Sequence, residues 1–240
     1  SRPFTMHFSA DGFVDLAGQR AGAERFRLVV AQIMEAAGAL HAVTGAKPEV
    51  KLTGLVLHMT LNKVWPWLAE AFELKPSSFT LGGAADVTGN ISGILEAEAW
   101  KWACDLEARL KGNEVSFTTP GTRGRGMVTA NLQVKGLFPA VETALTFAAE
   151  KAELSWKGMG VTSAKAAFSA SGKGPDFQMQ HLSFQIPQAE FTLGGRRIRV
   201  ADINAEAQTG TIRFDPTRLS FPRIGIHTSL MKNLRLSVDA

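Results

Sequence analysis

The stretch Trp100-Lys101-Trp102-Ala103-Cys104-Asp105-Leu106-Glu107-Ala108-Arg109-Leu110-Lys111 decides how this chain folds. Its even positions are Trp100, Trp102, Cys104, Leu106, Ala108 and Leu110. Its odd positions are Lys101, Ala103, Asp105, Glu107, Arg109 and Lys111. Strict alternation with period two is the pattern of a strand with one face on apolar matter and the other on water. Just upstream the phase is opposite. From Phe79 the odd positions read Phe79, Leu81, Gly83, Ala85, Val87, Gly89, Ile91, Gly93 and Leu95, with mostly Ser, Thr, Gly, Asp and Asn between them. A turn near residues 96–99 accounts for the flip. At about 3.3 Å per residue, an uninterrupted strand over 79–95 spans roughly 55 Å, far longer than usual. A sheet built of such strands is apolar on one side only, and what covers that side is the functional question.

Composition narrows the answer. The 240 residues suffice for one large all-β domain, and 45% hydrophobic content argues against disorder. The net charge of +4 is too small to imply nucleic-acid binding by itself. Tyrosine is absent while phenylalanine occurs 15 times. That bias counts against sites that stack sugars or single-stranded bases, which favour aromatics with a polar handle. Cys104 is the sole cysteine, so no internal disulfide forms, and its place between Trp102 and Leu106 reads as a small buried hydrophobe. The apolar runs fall well short of the ~20 residues that span a bilayer as a helix, and no signal peptide is evident.

Most of the rest also reads as strand. Phe4, Met6 and Phe8 alternate. Residues 26–40 fit both a helical stripe and two strands, and their neighbours favour strands. Val50 to Leu61 is a strand with a bulge expected at Gly54, where the phase changes. The one clear helix runs over 62–74, with Asn62 as cap, Val64, Leu68, Ala71 and Phe72 as apolar face, and Pro66 in the first turn. Later alternating runs are separated by Gly112-Asn113, Gly158, Gly172-Lys173-Gly174-Pro175 and Gly194-Gly195, read as turns. Pro120, Pro139, Pro187, Pro216 and Pro222 are placed at strand ends. Phe-Thr-Leu-Gly-Gly occurs at Phe79–Gly83 and again at Phe191–Gly195, either as trace of a duplication or by chance. No linker divides the chain, so residues 1–240 form a single domain.

Chemistry-bearing motifs are missing. There is no phosphate-binding loop, no H-E-x-x-H, no C-x-x-C and no nucleophile elbow. His7, His41, His58, His181 and His227 are scattered singly, without ligand spacing. Asp105 and Glu107 alternate with basic neighbours, as on a solvated strand face. The expectation is no catalytic residues, no metal site, no cofactor and no enzymatic activity. Arg123 and Arg125, with Arg196, Arg197 and Arg199, make the nearest thing to a basic patch. Two uses stay open for it: contact with anionic headgroups, or cationic strand tips that block edge association.

The run Leu61-Asn62-Lys63-Val64-Trp65-Pro66-Trp67-Leu68, followed by Leu81-Gly82-Gly83-Ala84-Ala85-Asp86-Val87-Thr88-Gly89-Asn90-Ile91-Ser92-Gly93 and by strands ending near Leu110-Lys111-Gly112, resembles the AsmA-like superfamily, which includes the TamB and YdbH groups. The resemblance covers roughly residues 50–240 and rests on pattern rather than an invariant motif. It implies long antiparallel strands forming a curled, taco-shaped groove with an apolar inner face. It also implies a periplasmic location in a diderm bacterium, as part of a protein tied to the inner membrane by an N-terminal anchor that this chain, beginning at Ser1, lacks. The implied partners are phospholipid or another acyl lipid, and an outer-membrane protein. The implied role is lipid transport or outer-membrane biogenesis.

The residues expected to line the groove are Phe79, Leu81, Val87, Ile91, Leu95, Trp100, Trp102, Cys104, Leu106, Leu110, Val128, Leu132 and Val134. The alternative is a structural or adhesive β-sandwich, in which the same residues form a closed core.

Overall fold

The computed structural model describes residues 5–71, 79–157, 159–174, 176–193, 196–207, 210–214, 217–227 and 234–238. The chain runs β1 (Met6–Asp15), β2 (Arg20–Val30), β3 (Met34–Val43), β4 (Glu49–Thr60), α1 (Leu61–Ala71), β5 (Phe79–Leu81), β6 (Ala84–Glu96) and β7 (Ala99–Thr119). It continues through β8 (Thr122–Leu137), β9 (Glu142–Trp156), β10 (Met159–Lys173), β11 (Asp176–Leu193) and β12 (Arg196–Ala207). The last strands are β13 (Gly210–Phe214), β14 (Thr217–His227) and β15 (Leu234–Val238). A single antiparallel sheet results. Its path is β1-β2-β3-β4-β6-β7-β8-β9-β10-β11-β12-β14-β13, and it does not close into a barrel. The two halves of 26–40 are therefore strands, β2 and β3.

Strand order follows chain order from β1 to β12 because the connections are short and join antiparallel neighbours. The flip of phase between β6 and β7 comes from the two-residue connection Ala97-Glu98. Both residues have positive φ, 49° and 66°, as a tight hairpin of this hand requires. The hairpins β1–β2, β3–β4, β6–β7, β8–β9 and β10–β11 lie at one end of the sheet, here the upper end. The hairpins β2–β3, β7–β8, β9–β10 and β11–β12 lie at the lower end, as does α1.

Register keeps one apolar face continuous. Leu57 opposes Val87, which opposes Ala108, which opposes Leu132, which opposes Leu145. Bulges interrupt the pairing along the middle of the sheet. They fall between Leu52 and Leu55, Leu110 and Asn113, Arg125 and Met127, and Val161 and Ala164. Gly54 (φ 59°), Gly112 (φ 59°), Lys151 (φ 52°) and Ser163 (φ 55°) sit at these interruptions in the left-handed region. Two of the bulge amides are held from the facing strand. Gly54 N–H donates to Asn90 Oδ1 at 2.9 Å, and Gly112 N–H donates to Thr129 Oγ1 at 3.2 Å. A row of bulges bends a sheet in one direction, which curls this one into a groove.

The surface area states the consequence. The chain exposes 16461 Å², whereas a compact chain of 25.8 kDa exposes about 10,500 Å². Apart from α1 against β4 and β5, the substantial contacts are between strands adjacent in the sheet. No second layer covers the apolar face among the described residues. The fully enclosed core is accordingly small, and among the described residues Met179 is its one large side chain that is buried to 2% exposure.

Several local expectations change. The 79–95 strand is broken at Gly82-Gly83, where Gly83 takes φ 80°. β5 then pairs with the far end of β7, Leu81 opposite Val115. Gly112-Asn113 is a bulge inside the 21-residue β7 and not a turn. Pro187 and Pro222 lie within β11 and β14, Pro187 at a position without a pair in an unbroken register with β12 and Pro222 at a register shift against β15, and both places tolerate a missing donor. The helix starts at Leu61, so the cap position falls two residues earlier than expected, on Thr60 and not Asn62. Pro66 is its sixth residue, beyond the first turn. Residues 72–74, and Phe4, lie outside the described residues. No helix among the described residues is long and apolar enough to cross a membrane.

Candidate functional site

The apolar face is built from small residues and from aromatic rings laid flat. Glycine stands directly across from an aromatic residue in five places: Phe13–Gly22, Phe26–Gly38, Trp102–Gly93, Phe117–Gly124 and Phe177–Gly172. At Gly38, Gly93 and Gly124 the ring occupies the space a Cβ would need, whereas at Gly22 and Gly172 a backbone carbonyl comes closer still, with the ring beside it. For Gly93 the Trp102 ring atoms come within 2.7–3.0 Å of that position, and for Gly38 the Phe26 ring comes within 3.1 Å. Four of the pairs are on the apolar face, and Phe13–Gly22 is on the other. A ring reclining over glycine shields backbone that a bare glycine would leave wet. It also keeps the floor low. Trp100 stacks on Trp102, centroids 5.5 Å apart with planes at 23°, and each residue is 41% exposed.

Alanine fills much of the remaining floor. Ala108, Ala130, Ala149, Ala166 and Ala170 lie on this face of β7 to β10; Ala149 stands opposite Ala166, and the others face the larger Leu132, Leu110, Phe147 and Leu145. Most of these side chains are half-buried, which is the signature of lateral packing without a lid. Cys104 is an exception at 7% exposure. Its thiol lies 3.7 Å from the Val134 carbonyl oxygen, and burial, then the Asp105 charge, pushes it above the ordinary thiol range. It is a packed hydrophobe and not an activated nucleophile.

The opposite face carries the charges. Glu107 accepts from Asn131 Nδ2 at 2.9 Å, from Gln133 Nε2 at 3.4 Å and from Arg109. Arg109 first, then Asn131, holds this carboxylate below its usual range. Lys101–Glu96 at 2.6 Å, Arg125–Glu153 at 2.7 Å and Lys135–Asp105 at 3.1 Å are further ion pairs on exposed side chains. Such pairs add little stability individually. His58 meets Asp86 at 2.7 Å and His181 meets Glu206 at 3.8 Å, each as an isolated surface pair. No group of three or more His, Cys, Asp or Glu among the described residues is placed to hold a metal ion.

Every expected lining position falls on the one apolar face. Val87, Ile91 and Leu95 are on β6. Trp100, Trp102, Cys104, Leu106 and Leu110 are on β7, and Val128, Leu132 and Val134 are on β8. Phe79 and Leu81 join them through β5, at positions opposite Phe117 and Val115. Sequence reasoning missed how far the face extends. Phe8, Leu28, Ala36 and Leu57 continue it to one edge, and Phe147, Phe168, Leu182 and Ala205 continue it toward the other. It also missed the aromatic–glycine pairs, of which only Gly93 belongs to the run of apolar-phase glycines at positions 83, 89 and 93.

Distinct hollows are shallow and open. One, of about 1040 Å³, lies at the upper end among Lys135, Glu142, Thr143, Lys173 and Phe177, away from most of the expected lining residues.

No family model, no curated protein and no solved structure matches this chain.

Proposed function

We propose that this chain is a non-enzymatic lipid-binding or lipid-conducting groove of the AsmA-like kind. In this reading it works in the periplasm of a diderm bacterium, within a protein anchored in the inner membrane, and serves phospholipid transport or outer-membrane biogenesis. One observation carries the reading: an uncovered apolar face that crosses the sheet from β1 to β12, in a chain exposing half as much area again as a compact one. Apolar surface on this scale is rarely left to water and marks a site of association. Acyl chains suit it chemically. They need apolar contact and no hydrogen bonds, and a low floor of alanine, glycine and reclining rings leaves room for them. The competing sandwich needs a second apolar layer, and none lies on this face among the described residues.

The test is to purify the chain, extract it with organic solvent and examine it by native mass spectrometry. Copurifying phospholipid, or uptake of phospholipid by the delipidated chain, is expected. Phospholipid brominated in its acyl chains should quench tryptophan emission, and Trp100→Phe with Trp102→Phe should remove much of that quenching. A chain that emerges free of lipid and takes up none overturns the reading.

A further inference from the structure

The two ends of the sheet differ in charge. Consider the three lower hairpins β7–β8, β9–β10 and β11–β12, with four strand residues on each side of the turn. They carry Arg123, Arg125, Lys157, Arg196, Arg197 and Arg199 against Glu153 and Glu190. Both carboxylates are already paired, Glu153 with Arg125 and Glu190 with Arg199. Arg123, Lys157, Arg196 and Arg197 are exposed, and none is in an ion pair among the described residues. The matching upper hairpins β6–β7, β8–β9 and β10–β11 carry Lys101, Lys135 and Lys173 against Glu96, Glu98, Glu142 and Asp176. The lower end is therefore +4 and the upper end −1 by the same count.

Edge protection does not account for this. Arg123 is on β8, which is paired on both sides, with Thr118 of β7 and Ser155 of β9. Lys157 ends the β9–β10 hairpin inside the sheet. Arg196 and Arg197 do stand where β12 has no described partner beyond β11, so that explanation reaches only those two. The cations also have apolar company. Trp156 is 48% exposed at the lip of the apolar face, and the Lys157 ammonium lies 5.9 Å from its ring centroid. An amphipathic aromatic ring at the lip with fixed cations beside it suits the interface between acyl chains and headgroups.

We infer that the lower end of the sheet docks on an anionic phospholipid surface, through Arg123, Lys157, Arg196 and Arg197 with Trp156 at the lip. This gives the groove a polarity and rests on the lipid-groove reading. Each basic side chain near an anionic leaflet strengthens attachment by several-fold, and the effect fades with salt. The complementary charge is on the surface of the bilayer, and the apolar face opens directly onto it.

Cosedimentation with phosphatidylcholine vesicles, with and without phosphatidylglycerol, tests the inference. The chain should partition onto the vesicles containing phosphatidylglycerol and release in high salt. Arg123→Gln with Lys157→Gln should weaken partition by roughly thirty-fold. Lys135→Gln with Lys173→Gln, at the upper end, should leave it unchanged. Circular dichroism verifies that both variants fold. Equal binding to neutral vesicles, equal loss from the upper-end variant, or displacement by a short DNA duplex would overturn the assignment. The groove reading fails separately. A chain that carries lipid but does not partition loses only the docking end, whereas one that partitions through Arg123 and Lys157 but holds no acyl lipid loses the groove.

Discussion

β7 presents two faces on one backbone. On one side Trp102, Cys104, Leu106 and Leu110 pack sideways against β6 and β8. On the other, Lys101, Asp105, Glu107 and Arg109 form ion pairs and hydrogen bonds in water. Neither face has a second layer among the described residues. The polar face needs none, because its groups are satisfied by each other and by solvent. The apolar face gains stability only from neighbours in the same plane, so it stays half-open, and that is the state that gives it a use. A one-sided sheet of this size is thus stable through its ladder and its floor, with little contribution from an enclosed core.

The comparison breaks most severely at the backbone. Gly89 has φ 143°, and a Cβ there would run into the Asp105 carbonyl of β7. Gly89→Val should destabilise the sheet by about 3 kcal/mol, measured by urea denaturation. Gly54→Ala, with a similar φ problem but nothing within 4 Å of the new Cβ, should cost only about 1 kcal/mol.

Two polar substitutions sharpen the contrast between the open and closed parts of the apolar face. Met179→Asn at 2% exposure should cost about 3 kcal/mol, since it removes packing and buries an amide. Leu106→Asn, on half-open ground, should cost only about 1 kcal/mol by the same measurement while reducing bound lipid. An equal loss of stability at the two positions, with lipid unchanged, would favour a closed core.

Cys104 offers a milder probe. It lies deep among its neighbours and its thiol is held neutral by burial, so labelling in the native protein should be slow. A small apolar maleimide should outpace a charged reagent, and bound lipid should retard both. Equal rates for the two reagents would place the residue on a wet surface.

The smallest effect belongs to the polar face. Glu107 has a depressed pKa when folded, so its contribution is present above the ordinary carboxylate range and is lost as pH falls through the folded value. Glu107→Gln should leave the thermal midpoint near wild type at neutral pH and reduce the fall in stability as pH drops below about 4.

Much of this architecture is legible in the chain because period two is a local signal. The even run 100–110 specifies β7 and its two faces, and the four-residue gap between Leu95 and Trp100 marks the hairpin. What escapes is anything that changes phase without ending a strand. Gly112-Asn113 looks like a turn in one dimension because a bulge and a turn both shift the phase by one residue. Only pairing tells them apart, here Leu110 with Ala130 and Asn113 with Val128. Pro187 misleads differently: it lies inside β11 opposite Asp202, between the pairs Ile186–Ile203 and Gln188–Ala201, with no change of register. The hairpin residues Ala97 and Glu98 carry none of the usual glycine or asparagine signal for positive φ. Of the candidate face, the central third was readable from alternation alone. Its extent depends on which strands stand side by side, and the aromatic–glycine pairs depend on register between strands.

The order of the strands has a further consequence. Because each of β1 to β12 meets chiefly the strand before it and the strand after it, the molecule is a linear array, closer in logic to a solenoid than to a globule. Adding one hairpin would widen the sheet by about 10 Å and disturb no existing register. The reach of such a structure is set by counting hairpins, so its span can evolve to fit a gap of any width while the chemistry of its surface stays the same.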